Sequence, residues 1–207
     1  LLLARDRLGI KPLYYYRDAE KLVFASEIKA ILAYPGVRAE VDTGMLPVFF
    51  RYGFIPSPRT LFRNISKLPP GHEMRIEARR VDIRRYWDVS FADKHRLTEA
   101  QTLERLDELL QDTVQRQMIA DVPLGAFLSG GLDSSGIVHL MAQQGVQEIN
   151  TYSIGFGANY SVHDESADAA VFAADYKTNH HAITVDPDVA ALLPRLVHAL
   201  DEPLADS

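Results

Sequence analysis

The stretch Phe127-Leu128-Ser129-Gly130-Gly131-Leu132-Asp133-Ser134-Ser135 decides how the chain is read. An apolar run, Val122 to Leu128, leads into it, and a segment of helical character, Ser134 to Gln144, leads out. The run is short and suited to a strand, and two glycines break it where the helix should begin. The reading is strand, tight loop, helix. The first amides of a helix have no intrahelical partner and sit at the positive end of the helix dipole, so such a loop presents an anion site. Gly130 and Gly131 lack a Cβ, which lets the chain take φ > 0 and bring its amides against a bulky phosphate. Ser129, Ser134 and Ser135 add hydroxyl donors. Hydrogen bonds to charged groups are worth about 1.5–3 kcal/mol each, against about 0.3–1 kcal/mol for the dipole, so the donors dominate. Asp133 would repel phosphates unless a cation lay between them. Mg²⁺, which uses one or two carboxylates together with phosphate oxygens, meets that condition.

Other loops with glycine and serine are excluded by their missing residues. No Lys follows the glycines, as a Walker loop requires. Leu132 holds the first glycine position of a nucleophile elbow around Ser134. A Gly-Gly-x-Asp-Ser turn also serves as a plain helix N-cap, and that reading stays open on local grounds. The six residues from Ser129 to Ser134 resemble the Ser-Gly-Gly-x-Asp-Ser pyrophosphate loop of the ATP pyrophosphatase superfamily, whose fold is adenine nucleotide α-hydrolase-like. The resemblance implies that the loop holds the pyrophosphate of ATP while a substrate carboxylate or carbonyl attacks the α-phosphate.

The totals bound the rest. One large or two small domains fit in 207 residues, and 47% hydrophobic with 24% charged residues is ordinary for a soluble globular chain. No apolar run reaches the roughly 18 residues of a membrane span, and Arg5 cuts short Leu1-Leu2-Leu3-Ala4, so neither an anchor nor a signal peptide is expected and the cytoplasm is the expected compartment. The absence of cysteine excludes disulfides, thiolate metal sites and a thiol nucleophile within these residues. The chain begins without Met, inside a predicted strand, and is expected to be a fragment. Residues 1–96 carry 18 Lys/Arg against 11 Asp/Glu, and residues 97–207 carry 4 against 17. The basic charges are scattered over strands and turns without interleaved aromatics, so no nucleic-acid surface is expected. The contrast is read as two domains, 1–96 and 97–207, meeting in the polar segment Ser90 to Leu97.

In the first part, Leu1 to Arg5, Leu13 to Tyr16 and Lys21 to Ala25 read as strands, and Ser26 is expected to cap a short helix, Glu27 to Ala33. Tyr14, Tyr15 and Tyr16 alternate across a strand and read as core and edge rather than a stacking platform. A second short helix spans Met45 to Tyr52, Gly53 to Pro70 suits a connecting loop, and His72 to Ile76 with Val81 to Tyr86 forms a hairpin. His72 has no companion ligand. The second part opens on a capping box, Thr98 with Gln101, and a helix whose Leu103, Leu106, Leu110, Val114 and Met118 form an apolar packing stripe. Strands at Ile149 to Phe156 and His180 to Val185 alternate with helices from Asp164 to Tyr176 and from Asp186-Pro187 to Leu200. Alternation predicts a parallel sheet with helices on both faces and a ligand at the carboxyl ends of the strands. His180 and His181 should point to opposite faces and share no metal. Asp164-Glu165 reads as a helix N-terminal cap. Asp201, Glu202 and Asp206 are expected either to coordinate a ligand or to be solvated.

Ala4-Arg5-Asp6-Arg7-Leu8-Gly9-Ile10-Lys11-Pro12-Leu13-Tyr14-Tyr15 and Phe24-Ala25-Ser26-Glu27-Ile28-Lys29-Ala30 resemble the end of the glutaminase domain of glutamine-hydrolysing asparagine synthetases, class II amidotransferases. Leu68-Pro69-Pro70-Gly71-His72, Tyr86-Trp87, Asp121-Val122-Pro123 and Leu128 to Ser135 continue the resemblance in the family's order. Thr151 to Phe156, Asp164-Glu165, His180-His181 and Asp201-Glu202-Pro203 extend it; Leu8 stands where many members have Phe. The resemblance implies an α/β chain: the end of an Ntn-hydrolase-type antiparallel β-sandwich, then the first half of a parallel-sheet ATP pyrophosphatase domain. It implies ATP and Mg²⁺ as cofactors, with aspartate and glutamine or ammonia as substrates, and it admits a homodimer. Ser129, Gly130, Gly131, Asp133, Ser134 and Ser135 would hold pyrophosphate, Asp133 would bind Mg²⁺, and Leu128 and Ile154 would contact the nucleotide. The glutaminase nucleophile of the family is outside the chain, no catalytic residue is assigned within it, and the fragment alone is expected to be inactive. Another adenylating ligase on the same loop, β-lactam synthetase-like or linked to exopolysaccharide or exosortase clusters, and a non-catalytic structural domain are the alternatives.

Overall fold

Three consecutive tyrosines show how alternation builds the first part of the molecule. In this computed structural model, which describes residues 1–78, 80–146, 148–156, 165–186 and 188–205, Tyr14 and Tyr16 pack with Ile28, Ile31 and Ile65, while Tyr15 faces Leu3, Leu68 and Met74. One strand thus supplies two apolar cores, as side chains of period two must. The expectations for Asp164, Pro187 and Asp206 fall outside the described residues.

By its internal packing the chain groups into two units, Leu1–Asp93 with Asp188–Ser207, and Lys94–Pro187. The elements of the first unit are β1 (Leu2–Ala4), β2 (Tyr14–Arg17), β3 (Leu22–Ala25), α1 (Ile28–Leu32), α2 (Leu46–Tyr52), β4 (Ile65–Lys67), β5 (His72–Glu77) and β6 (Arg80–Arg85). Two antiparallel sheets result, with strand orders β1-β5-β6 and β3-β2-β4. The loop between β1 and β2 is held by Arg5, whose guanidinium donates to the carbonyls of Lys11 (3.0 Å), Leu68 (2.8 Å) and Gly9 (2.9 Å). Asp6 accepts the amides of Lys11 (3.0 Å) and Ile10 (2.9 Å), and these bonds, the first above all, hold its carboxyl below the usual range. The Arg5-to-Pro12 stretch is therefore built as a braced turn.

Two expectations for this unit are corrected. The Gly53-to-Pro70 stretch contains β4, a strand that Ile65, buried, pins against β2. Ser26 does not cap α1: Glu27 occupies the N-cap without a side-chain bond, and the cap comes from Asp201, far along the chain. Elsewhere the boundaries tighten; a 3-10 turn, Thr43–Met45, precedes α2, and Asp42 accepts the Gly44 amide at 3.1 Å.

The second unit contains α3 (Glu99–Gln117), β7 (Gly125–Phe127), α4 (Leu132–Gln143), β8 (Asn150–Phe156), α5 (Ser166–Asp175) and β9 (Asn179–Val185). The capping box forms as read: the Thr98 hydroxyl accepts the Gln101 amide and the Gln101 side chain accepts the Thr98 amide. Strands β7, β8 and β9 pair in parallel in that order. The first strand is shorter than the Val122-to-Leu128 run, because Pro123 has no amide to donate and pairing with β8 starts at Gly125.

Leu128, Val138, Met141, Ile149, Ala169 and Ala173 form the core of this unit, with Val114 of α3 and its C-cap residue Met118 beside it. The upper part of the α3 stripe is not covered: Leu103 is 59% and Leu106 50% exposed. Helices α3, α4 and α5 all feed this one cluster. Register places Phe127, Tyr152, Ile154 and Ile183 together, and all four are exposed, so among the described residues this face carries no helical cover.

The last element, α6 (Val189–Leu200), belongs with the first unit. Asp188 caps it, its side chain accepting the Ala191 amide at 3.1 Å, in place of the expected start at Asp186-Pro187. No helix among the described residues is long and apolar enough to cross a membrane.

Candidate functional site

The strand-loop-helix read from the sequence is present. Beyond β7 the Leu128 amide donates to the Tyr152 carbonyl at 2.8 Å, extending the ladder by one residue, and the Leu128 side chain, 1% exposed, enters the core under α4 and α5. The loop therefore leaves the sheet from a fixed point. Ser129 and Ser134 then brace it. Their hydroxyls are 3.0 Å apart, the Ser129 amide donates to Ser134 Oγ (3.2 Å), the Gly131 amide donates to Ser129 Oγ (3.3 Å), and the Ser134 hydroxyl donates to the Gly131 carbonyl (3.2 Å).

Gly131 is the N-cap of α4 and offers no side-chain oxygen to it. The amides of Leu132, Asp133 and Ser134 consequently have no helical carbonyl and no cap, which is the arrangement that receives an anion. Gly130 has φ +83°, and a Cβ there would lie 2.8 Å from the Cβ of Asp168 and 3.1 Å from both the Ala169 amide nitrogen and the Glu165 carbonyl oxygen. The first turn of α5 thus presses on the loop. Sequence reasoning valued this glycine for phosphate approach and missed its packing against α5, which no local pattern could signal.

Beside the loop, at the carboxyl ends of β7 and β8, a cavity of about 290 Å³ is lined by Phe127, Leu128, Ser129, Tyr152, Ser153, Ile154, Phe156, Glu165 and Ser166. Its size approaches the lower end of small-ligand pockets and its position is the usual one for open parallel sheets. Ile154, 53% exposed, presents its side chain, whereas Leu128 can offer only backbone. Asp133 is exposed in the first turn of α4. Ser135 lies on the buried side of α4, its amide donating to the Gly131 carbonyl at 3.1 Å. The structure therefore gathers Ser129, Gly130, Gly131, Asp133 and Ser134 at the loop, with Ile154 at the cavity, and directs Ser135 toward the core.

The donor chemistry fits a polyphosphate: an uncapped helix start, two hydroxyls, and at Gly131 a space that a Cβ would narrow to 3.3 Å from Ser129 Oγ. One carboxylate, Asp133, suits Mg²⁺. Among the described residues no group of three or more His, Cys, Asp or Glu is placed to enclose a cation, so a metal here would rely mainly on phosphate oxygens.

The remaining candidates have other partners. His180 Nδ1 pairs with Thr151 Oγ1 (2.9 Å) and Nε2 with Ser153 Oγ (3.2 Å), while His181 stacks on Tyr152 at 5.0 Å, so the two rings do face opposite ways. His72 Nδ1 lies 2.7 Å from the Pro70 carbonyl. Glu165 sits at the N-cap of α5, yet its side chain makes no cap bond. Asp201 and Glu202, expected to coordinate or be solvated, do neither. Asp201 accepts the Ile28 amide (2.7 Å) and the Lys29 amide (3.3 Å) and pairs with Lys29 Nζ (3.0 Å); Glu202 accepts the Leu61 amide and pairs with Lys67 Nζ (2.8 Å). The bond to Asp201 raises the Lys29 ammonium pKa above its ordinary value; burial raises the Tyr14 phenol, with Glu202 and then Asp201 adding to it.

Residues 105–207 match the family model described as asparagine synthase, and residues 1–87 the one described as glutamine amidotransferase domain. The chain is 40% identical over 172 residues to asparagine synthetase (glutamine-hydrolyzing) 3 of Bacillus subtilis, covering 81% of this chain and 28% of that protein. Asparagine synthetase (glutamine-hydrolyzing) 1 of the same organism is 32% identical over 205 residues, 98% of this chain and 32% of its own length. Amidase chry2 of Gibberella zeae is 35% identical over 161 residues, 74% of this chain and 23% of its own. The chain spans less than half the length of these curated relatives.

Proposed function

Starting from a chain that belongs to the glutamine-hydrolysing asparagine synthetase family, we propose that the full-length protein converts aspartate to asparagine with ATP, using ammonia released from glutamine. Residues 1–96 then form the end of an Ntn-type glutaminase domain with its connector, and residues 97–207 the first part of an ATP pyrophosphatase-type synthetase domain. In the synthetase step the side-chain carboxylate of aspartate attacks the α-phosphorus and the bond to pyrophosphate breaks. Ammonia next attacks the acyl carbon of the β-aspartyl-adenylate and AMP leaves. The observation that carries the reading is the loop itself: an uncapped α4 start, braced by Ser129 and Ser134, beside an open cavity at the strand ends.

In this reading the amides of Leu132 to Ser134 and the Ser129 and Ser134 hydroxyls bind pyrophosphate, where negative charge grows as it departs. Preorganised donors are the efficient means of stabilising such charge. Bound Mg²⁺ would neutralise phosphate charge, with Asp133 as its protein ligand. Ser135 supports the loop from the buried side of α4, and Leu128 and Ile154 flank the nucleotide, the former through its backbone. The protein is read as cytoplasmic, acting on small molecules rather than nucleic acid or membrane, with a homodimer as the assembly that the family admits.

The test is aspartate-dependent ATP/pyrophosphate exchange by the full-length gene product with Mg²⁺, against a panel of other carboxylic acids. Exchange stimulated by aspartate supports the proposal. Exchange with another acid only would favour a second reading, a different amide-forming enzyme on the same loop, for which the similarity to amidase chry2 speaks. No exchange with any acid would leave a structural role.

A further inference from the structure

The match to asparagine synthase runs to residue 207, yet residues 188–205 pack with the unit that matches the glutamine amidotransferase domain. What holds it there is specific. The Asp201 side chain is 6% exposed, and both its oxygens are engaged by α1, a helix left uncapped by its own neighbours. Lys29 closes this contact by donating also to the Ala199 carbonyl at 3.1 Å. One residue on, Glu202 takes the Leu61 amide and the Lys67 ammonium, which in turn donates to the Ile55 carbonyl at 2.7 Å. The Ala205 amide then donates to the Gly53 carbonyl at 2.8 Å. Every charged group in this bracket has its counter-charge, and a buried carboxylate so paired is strongly selective for one geometry, since removing either partner strands the other.

We propose that Asp201 and Glu202 are positioning residues that fasten the synthetase-family part of the chain to its glutaminase-family part and so set the share of glutamine-derived nitrogen that reaches the product amide. The inference rests on the reading above that the protein moves nitrogen from glutamine to a carboxyl acceptor. The bonds of both residues lie within the first unit, so each acts through the segment it holds.

The experiment uses the full-length protein with Asp201→Asn, Glu202→Gln and the pair. Amide formed per glutamine hydrolysed is compared with amide formed from saturating ammonium. Each single variant is expected to lower the first quantity three- to tenfold, with ammonium-supported synthesis and glutaminase turnover within twofold of the parent; Glu202→Asp should recover part of the loss. An unchanged ratio, or equal losses with both nitrogen sources, overturns the proposal. If the parent forms no amide from either source, the functional reading fails by itself. Hydrogen exchange at Ile28, Lys29 and Leu61 then decides the bracket: tenfold faster exchange in the variants supports it, and unchanged exchange refutes it.

Discussion

Alanine at position 130 should be far more damaging than alanine at position 136, six residues further on. At Gly130 the backbone sits at φ +83°, where a Cβ costs about 1–2 kcal/mol. The new methyl would also meet Asp168 Cβ at 2.8 Å and the backbone of Glu165 and Ala169 at 3.1 Å, groups fixed in the first turn of α5. Overpacking of that kind costs about 1–3 kcal/mol, so the total is about 2–5 kcal/mol. At Gly136, inside α4, an added Cβ meets nothing within 4 Å, and alanine there should stabilise by about 0.5–1 kcal/mol. Native-state hydrogen exchange of the full-length protein, read on peptides from α4, separates the two. Gly130→Ala should lower protection by about 30-fold or more, and Gly136→Ala should raise it by about two- to fivefold, at roughly 1.4 kcal/mol per tenfold. Protection in Gly130→Ala within threefold of the parent would refute the argument that α5 forces glycine at this position.

Asp133→Ala should abolish Mg²⁺-dependent ATP/pyrophosphate exchange in the full-length protein while leaving glutaminase activity largely intact; equal exchange in variant and parent would sink the metal assignment. Leu128→Ala removes a buried side chain from the core between the loop, α4 and α5 and should destabilise by about 2–5 kcal/mol in chemical denaturation, with a loss below about 1 kcal/mol contradicting its anchoring role. Amides of Glu20 and Lys21 hold the Asp18 carboxyl at about 2, below its ordinary 3.8. A depressed carboxylate contributes stability that is complete above the unfolded value and is lost as pH falls toward the folded one. Asp18→Asn should therefore weaken the protein at pH 7 and converge with it between about pH 4 and pH 2, measured by denaturant midpoints; a difference constant with pH would exclude the charge as its source.

What could be read in the sequence was the chemistry that is local. The strand-loop-helix form around Ser129 to Ser134, the Thr98 capping box and the tyrosine alternation each depend on residues within a few positions, and in form each is found as read. Strand β4 was hidden because three residues carry no periodicity and its neighbourhood is rich in Pro, Arg and Ser. The α3 stripe identifies which residues share a face, but periodicity does not say what covers them, and Leu103 and Leu106 are open. The cap of α1 was assigned to Ser26 because capping is normally local, whereas Asp201 supplies it from 173 residues away. Inside the site, the close approach of Asp168 to Gly130 is likewise a tertiary fact.

The bracket formed by Asp201 and Glu202 has a consequence for vectorial synthesis. Its hydrogen bonds span 173 and 141 residues, a contact order that no early segment can satisfy alone. Both sheets of the first unit can pair once β6 leaves the ribosome, but α1 must wait for its cap until residue 201 is made. At about 5–20 residues per second that interval lasts roughly 5–20 s, during which residues 94–187 are synthesised. The cap of α1 thus comes from the far side of the whole 94–187 stretch, so a pause in translation within those residues would prolong the time α1 spends uncapped.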